Sequence, residues 1–411
     1  MSNHADYVDR CSPPKLTRLD DILPDEPLLL MGAGPVPLPN EVSRANSVVI
    51  NHLGKDMNKV IAGLQEMARY SFQTRSQYII GVGGPSSAAM EMAVSNLAWP
   101  GRRVLSLVNK HGVFGPRLEE MARRTGADVD VLSTEDIETI SPKMVEKKLQ
   151  TNKYDVVTIV QGETSSGVHN IFLPEIAKLV KDHGALFIVD AVCTLTTMPF
   201  LMDEWGIDAV ITGGQKGLSS IPGVSLLALS DKAWETIEKR KHPLAQWTLD
   251  AKLAWQFWGH QKYHYTAPVP GVLAMYEALR LVSKETLEAR MKRHLASSLA
   301  MQAGIVAMGL ELYVPERQRL ASVISIKVPD GVDAVFWQRY MVEHYGVEIS
   351  GSFGLPVLRV GQMGEQCRAH CLFRTLYALG MAAQQVRISV DVANGMAELE
   401  RQLEAAEGVV L

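Results

Sequence analysis

The sequence predicts a three-layer α/β domain with a mostly parallel sheet, followed by a smaller C-terminal α/β unit, and three observations carry that expectation. Short apolar runs at 103–108, 155–160, 185–189 and 209–211 show no polar alternation, which marks strands covered on both faces, as in a parallel sheet. Segments of helical spacing separate these runs, and repeated βα units call for right-handed crossovers with helices on both faces. A second, shorter alternation follows, with strands at 322–328, 347–350 and 357–360 and helices at 334–345 and 365–384. At 411 residues the chain suits a large domain plus a smaller one. The expected division is an N-terminal arm over 1–27, a large domain over 28–285 and a small domain over 286–411.

Taken in order, prolines at 13, 14, 24 and 27 and the lack of periodicity make the first residues an extended arm. Residues 28–35, LLLMGAGP, enter a tight turn. Helical spacing runs over 54–71, and residues 78–87, YIIGVGGPSS, read as a strand, a glycine-rich turn and a helix opening with Ser86 and Ser87. A helix start presents unpaired N–H groups and the positive end of a dipole, so this turn is an anion cradle suited to a phosphate. The pattern is neither GxGxxG nor GxxxxGK[ST], which argues against a dinucleotide fold and a P-loop enzyme. A strand at 103–108, a helix at 113–125, a strand at 129–132 and a helix from about 141 come next, then the strand 155–160 ending in QGETSSG and a helix at 174–183. Past 230 a helical segment reaches 241. The aromatic-rich stretch 255–266 reads as core or subunit interface, and helices at 271–309 lead into the small domain.

Two residues organise the chemistry. Asp190 closes the run 185–189, and Lys216 follows the run 209–211 in TGGQK. In open parallel sheets, ligands collect at the carboxyl ends of the strands, where both residues would lie. A lysine there can form a Schiff base with an aldehyde cofactor, and pyridoxal phosphate needs an acidic partner to keep its ring nitrogen protonated. Taken alone, an aspartate ending a strand more often caps the next helix, and a lone lysine usually stands in solvent.

Composition sets the outer limits. Hydrophobic residues at 47% and charged residues at 21% fit a globular enzyme. A net charge of −4 offers no electrostatic case for nucleic acid or an anionic membrane. No uninterrupted apolar run approaches the ~20 residues of a membrane span. The polar start lacks an apolar h-region and the terminal GVVL is not a Ser-Lys-Leu address, so a cytoplasmic protein is expected. Cys11, Cys193, Cys367 and Cys371 form no disulfide framework. Cys367, His370 and Cys371 share a helical turn but lack a second ligand pair, so packing is expected there and no metal.

With these residues in view, the chain resembles the class V, fold-type I pyridoxal-phosphate aminotransferases, most closely the alanine-glyoxylate and serine-pyruvate group. The likeness runs from about residue 28 to about 383 and rests on motifs shared in order: MGAGPVPLP, the glycine-rich turn, HGVFG, GETSSG, IVDAV, DEWGID, GGQKG, YHYT and VLRVGQMG. It implies that Lys216 is the Schiff-base lysine and moves a proton between the substrate alpha carbon and the cofactor, and that Asp190 pairs with the pyridine nitrogen. Phe114 corresponds to the aromatic that stacks on the ring, where many relatives carry tryptophan. Thr164 corresponds to the hydroxyl residue at the phenolic oxygen. Ser86 and Ser87 match the phosphate-binding turn, with Gln215 adding an amide, whereas Gly214 stands where relatives often have a hydroxyl.

Tyr263 and Thr266 correspond to residues that reach the phosphate of the neighbouring subunit, which implies a homodimer with shared sites. Arg359 corresponds to the arginine that grips the substrate carboxylate through two parallel hydrogen bonds, and Gly34 with Pro35 would cover the substrate. The implied activity is transfer of an amino group from a small amino acid of the alanine or serine type to a 2-oxo acid such as glyoxylate or pyruvate, through pyridoxamine phosphate. Ureidoglycine-glyoxylate and pyridoxamine-pyruvate transamination are sister alternatives; Pro85 replaces the acidic residue expected of the latter. A cysteine desulfurase would need a reactive cysteine on a mobile loop, and no cysteine sits in a matching motif.

Overall fold

The structure, a computed structural model, describes residues 14–406. Seven strands build the central sheet: β1 (Ile79–Gly83), β2 (Arg103–Val108), β3 (Asp128–Ser133), β4 (Val156–Val160), β5 (Leu186–Asp190), β6 (Ala209–Gly213) and β7 (Val224–Leu229). Their spatial order is β1-β7-β6-β5-β4-β2-β3. Every residue of β4, β5, β6 and β7 is buried, which is why these runs show no alternation. All strands run parallel except β7, which is antiparallel to both neighbours. Sequence reading did not anticipate β7. Its connection from β6 spans only 214–223, shorter than the dozen or more residues a parallel crossover needs, so the chain must return antiparallel.

Helix boundaries follow local signals. Ser141 caps Pro142–Thr151 by accepting from Met144 N, and Gly184 ends Leu173–His183 in the left-handed conformation. The aromatic stretch is largely core: Phe257 and Trp258 are buried, and Trp255 packs its ring against Tyr78 and Trp234. A Cβ on Gly81 of β1 would lie 2.1 Å from the Trp258 ring, so glycine is what lets this indole reach the sheet.

The C-terminal unit has its own core around Trp337, Leu358 and Leu372. Val323–Lys327 and Ser350–Gly351 both pair antiparallel with Val357–Gly361, and helices Ala334–Tyr345 and Ala369–Gln385 pack alongside. Three expectations need correction. The strand expected at 347–350 is two pieces, because Val347–Glu348 pairs parallel with Leu29–Leu30 while Ser350–Gly351 pairs elsewhere. The helix expected at 365–384 is a 3-10 turn, Gly364–Cys367, then Ala369–Gln385, with Arg368 extended between them. Residues 29–31 were assigned to the large domain, yet Met31 packs in the C-terminal core through that same pairing. A further helix, Val392–Ala405, packs on Leu287–Ala307 and was not foreseen. Ala33, Val36, Cys193, Met198, Leu320, Val323 and Met363 form a small apolar cluster where the two units meet.

Candidate active site

Topology brings the carboxyl ends of β1, β4, β5 and β6 to one edge of the sheet. Asp190 ends β5 and Lys216 lies three residues past β6. Gly162 and Glu163 follow β4, and Ser86 opens the helix Ser86–Leu97 after β1. A cavity of about 140 Å³ at this edge is lined by Ser86, Ser87, Phe114, Thr164, Asp190, Gln215 and Lys216 together with Met90, Arg117, Gly162, Val192 and Cys193. Seven residues singled out in the sequence therefore share one pocket.

Asp190 is buried, with one carboxylate oxygen accepting from Val192 N at 2.8 Å. Burial pushes its carboxyl up to about 7; the charge of Glu163 adds to the rise, while Lys216 and Arg117 oppose it. Burial likewise holds the Lys216 amine below its ordinary value, with the Arg359 charge acting in the same direction. A buried amine that gives up its proton readily is a nucleophile in waiting. Its Nζ donates to the carbonyl of Ala33, immediately before Gly34.

At the other wall, Gln215 Nε2 donates to Ser86 Oγ at 2.9 Å. Gly213 permits that approach, since a Cβ there would stand 1.8 Å from Ser86 Oγ. Gly214 has a steric reason as well: a Cβ would lie 2.5 Å from the carbonyl of Ile221, leaving no room for the hydroxyl residue of relatives. Among the described residues no side chain caps the helix Ser86–Leu97, and with Ala88 N bonded to the Pro85 carbonyl, the N–H groups of Ser86 and Ser87 are left for an anion.

Three features were missed in the sequence. Arg117, one turn after Phe114, lays its guanidinium over the Phe114 ring at 4.8 Å and donates to Ser87 Oγ at 3.2 Å. Glu163 is fully buried and accepts from Phe114 N (3.0 Å), Gly115 N (3.3 Å), Ser165 N (3.2 Å) and Ser165 Oγ (2.5 Å). The i,i+3 spacing of Phe114 and Arg117 was a usable signal; nothing local marks Glu163. Cys193 is buried beside Asp190 with its thiol pushed up to about 12 by burial.

Arg359, in the middle of Val357–Gly361, reaches the same region. Its Nη1 donates to the Thr164 carbonyl at 2.7 Å and its Nε to the Gly351 carbonyl at 2.8 Å. Burial lowers its pKa to about 10, partly offset by Glu163. Among the described residues no carboxylate lies within salt-bridge distance of it. Tyr263 and Thr266 are exposed and do not line the cavity within one chain.

These residues fit pyridoxal phosphate: a buried amine for an aldehyde, a buried acid for a ring nitrogen, and an uncapped helix start for a phosphate. The fit agrees with the comparisons. The model of the family "Aminotransferase class-V" matches residues 40–401. The chain belongs to the class V aminotransferases. It is 32% identical to an alanine--glyoxylate aminotransferase of Drosophila melanogaster over 370 residues, covering 88% of this chain and 93% of that protein. The ureidoglycine-glyoxylate aminotransferase of Bacillus subtilis has a similar structure, with a TM-score of 0.88 at 28% identity over 93% of this chain and 99% of that one. The pyridoxamine-pyruvate aminotransferase of Mesorhizobium loti gives a TM-score of 0.87 at 26% identity, with the same coverage of both. This aminotransferase uses pyridoxal phosphate and has the fold-type I architecture. Among the described residues, no helix is long and apolar enough to cross a membrane.

Proposed function

We propose that this aminotransferase moves an amino group between a small amino acid and a small 2-oxo acid such as glyoxylate or pyruvate, with Arg359 as the carboxylate clamp. The observation that carries this is a buried guanidinium that, among the described residues, has no acidic partner and is tethered to two backbone carbonyls beside Lys216. A buried charge of this kind is costly unless a ligand completes it. A substrate carboxylate, common to amino and 2-oxo acids, does so with directional hydrogen bonds.

Bound pyridoxal phosphate supplies an electron-withdrawing ring that accepts the electron pair released when the substrate Cα–H bond breaks. Ser86, Ser87 and Gln215 would hold its phosphate at the helix start. Asp190 would keep the ring nitrogen protonated, Phe114 would pack against the ring, and Thr164 would hydrogen-bond the phenolic oxygen. Lys216 would anchor the cofactor, and its Nζ as a free amine would take and return the Cα proton. Burial suits Lys216 to that work, since its neutral form is the base. The Gly34 turn lies against Lys216 and closes the substrate side.

Exposed Tyr263 and Thr266 are assigned to the site of a second copy in a homodimer. Donors of the ureidoglycine and pyridoxamine type are the second reading, favoured by the two structural relatives named for them. A desulfurase is disfavoured because Cys193, Cys367 and Cys371, the cysteines among the described residues, are buried. The test is a donor panel of alanine, serine, ureidoglycine and free pyridoxamine mixed with the purified enzyme. Conversion of the bound cofactor by alanine or serine, reversed by glyoxylate or pyruvate, is expected; conversion by pyridoxamine or ureidoglycine alone overturns the amino-acid assignment.

A further inference from the structure

Between the helices Val269–Glu285 and Leu287–Ala307 lies a buried charge cluster that touches no substrate pocket. Glu285 accepts from Arg290 Nη1 at 2.6 Å, from Arg293 Nε at 2.6 Å and from Arg293 Nη2 at 3.0 Å. Both arginines are almost wholly buried. Such a cluster is not a cheap way to stabilise a fold, because desolvation offsets much of the attraction. What it does contribute is direction.

Besides Arg290 Nε, which donates to Thr196 Oγ1 at 3.4 Å, each arginine sends one donor to a different backbone. Arg290 Nη2 donates to the carbonyl of Gly217, the residue after Lys216. Arg293 Nη1 donates to the carbonyl of Gly364 at 2.8 Å, in the turn that follows the strand of Arg359. His294 completes the link. Its Nε2 accepts from Gly364 N at 2.8 Å, so its Nδ1 carries the proton and donates to the Arg290 carbonyl at 2.7 Å. Desolvation and the two neighbouring arginines hold this imidazole neutral. Gly364 has φ +59 and a Cβ there would stand 1.8 Å from Ser219 Oγ, so the two turns are in close contact. Thr286, between the two helices, has φ 72 and ψ 149, a positive φ unusual for a β-branched residue.

We infer that Glu285, Arg290, Arg293 and His294 form a clasp that sets the turn of Lys216 against the strand end of Arg359, making Arg290 and Arg293 positioning residues for the lysine side and the substrate side of the site. The clasp rests on the assignment of Arg359 as the carboxylate clamp. Arg290 acts on the lysine side and Arg293 on the substrate side. Glu285 fixes the angle between them, because one carboxylate holds both guanidinium groups.

The experiment uses the cofactor-loaded enzyme and the variants Arg293→Gln, Arg293→Lys, Arg290→Gln and Arg359→Lys. A misplacement of about 1 Å at a reacting group costs up to about 100-fold in rate. Arg293→Gln is expected to raise KM for donor and acceptor about tenfold while kcat stays within about threefold, with an intermediate effect for Arg293→Lys, which keeps the charge but not both bonds. Arg290→Gln is expected to lower kcat about tenfold and to shift the pH at which the visible absorbance of the cofactor changes, with KM nearly constant. Where Arg293→Gln does not fold, Arg293→Lys is read by the same KM criterion. Equal losses of kcat and KM in both arginine variants, or no change in either, overturn the clasp. Unchanged KM in Arg359→Lys overturns the carboxylate assignment instead, and the absorbance shift in Arg290→Gln then decides the clasp alone.

Discussion

Gln215 is hydrogen-bonded through Nε2 to Ser86 Oγ at 2.9 Å, so the residue before Lys216 is fastened to the first residue of the helix Ser86–Leu97. The lysine turn and the anion cradle are therefore joined by a direct side-chain bond. Replacing Gln215 by Ala removes a neutral hydrogen bond worth about 0.5–1.5 kcal/mol, and a loss of roughly 2- to 10-fold in affinity for pyridoxal phosphate is expected. Fluorescence titration should show a smaller effect with pyridoxal lacking the phosphate; equal effects would contradict a phosphate role.

Asp190 gives a pH signature in the cofactor-free protein. Its carboxyl rises from 3.8 to about 7 on burial, so the folded state binds this proton more tightly than the unfolded chain does. The group's contribution is therefore full below about pH 4 and is lost as pH climbs through about 7. Asp190→Asn cannot ionise, and its stability advantage over the parent should grow across that interval to on the order of 4 kcal/mol. Urea denaturation at the two ends of the interval measures it, and a constant difference would refute it.

Arg359→Lys keeps a charge but loses the planar pair of donors. A charge-assisted hydrogen bond is worth about 1.5–3 kcal/mol, so KM for both donor and acceptor should rise roughly 10- to 100-fold. A rise for only one substrate would mean that the two do not share this arginine.

Glu163→Gln places an amide opposite N–H groups that now meet a carboxylate. Loss of about 1–3 kcal/mol of stability is expected, as for a buried donor left unpaired. A weaker ring-binding wall should accompany it, because Glu163 holds the helix start that carries Phe114. Thermal melting of the loaded and cofactor-free forms separates the two effects.

Gly34→Ala tests the turn over the lysine. Gly34 has φ +101 and a Cβ would sit 2.6 Å from Lys216 Nζ, so alanine is disfavoured twice. The variant should fold, with unchanged far-ultraviolet circular dichroism, but lose most of the visible cofactor band. A full band would show that the turn has room to move.

Much of this site was legible because its residues sit at the ends of strands. Asp190, Lys216, Ser86 and Ser87 each follow an apolar run or a glycine turn, and the parallel sheet collects such positions at one edge, whereas Phe114, Thr164 and Gln215 were reached only through the family resemblance. Arg359, in the middle of an apolar strand, was reached through the resemblance as well. Glu163 and Arg117 did not stand out, because one looks like a loop carboxylate and the other like a surface cation until the helix start and the Phe114 ring are placed against them.

The amino-acid sequence by itself marked the buried strands 103–108, 156–160, 186–190 and 209–211, the helices between them, and the residue types waiting at their ends, since periodicity and turn chemistry are local. Tertiary structure alone decided that β7 runs antiparallel, that residues 29–31 join the C-terminal core, and that Glu285 holds two arginines aimed at Gly217 and Gly364. Those outcomes depend on pairings between residues far apart in the chain, and packing selects such pairings only once both partners are folded.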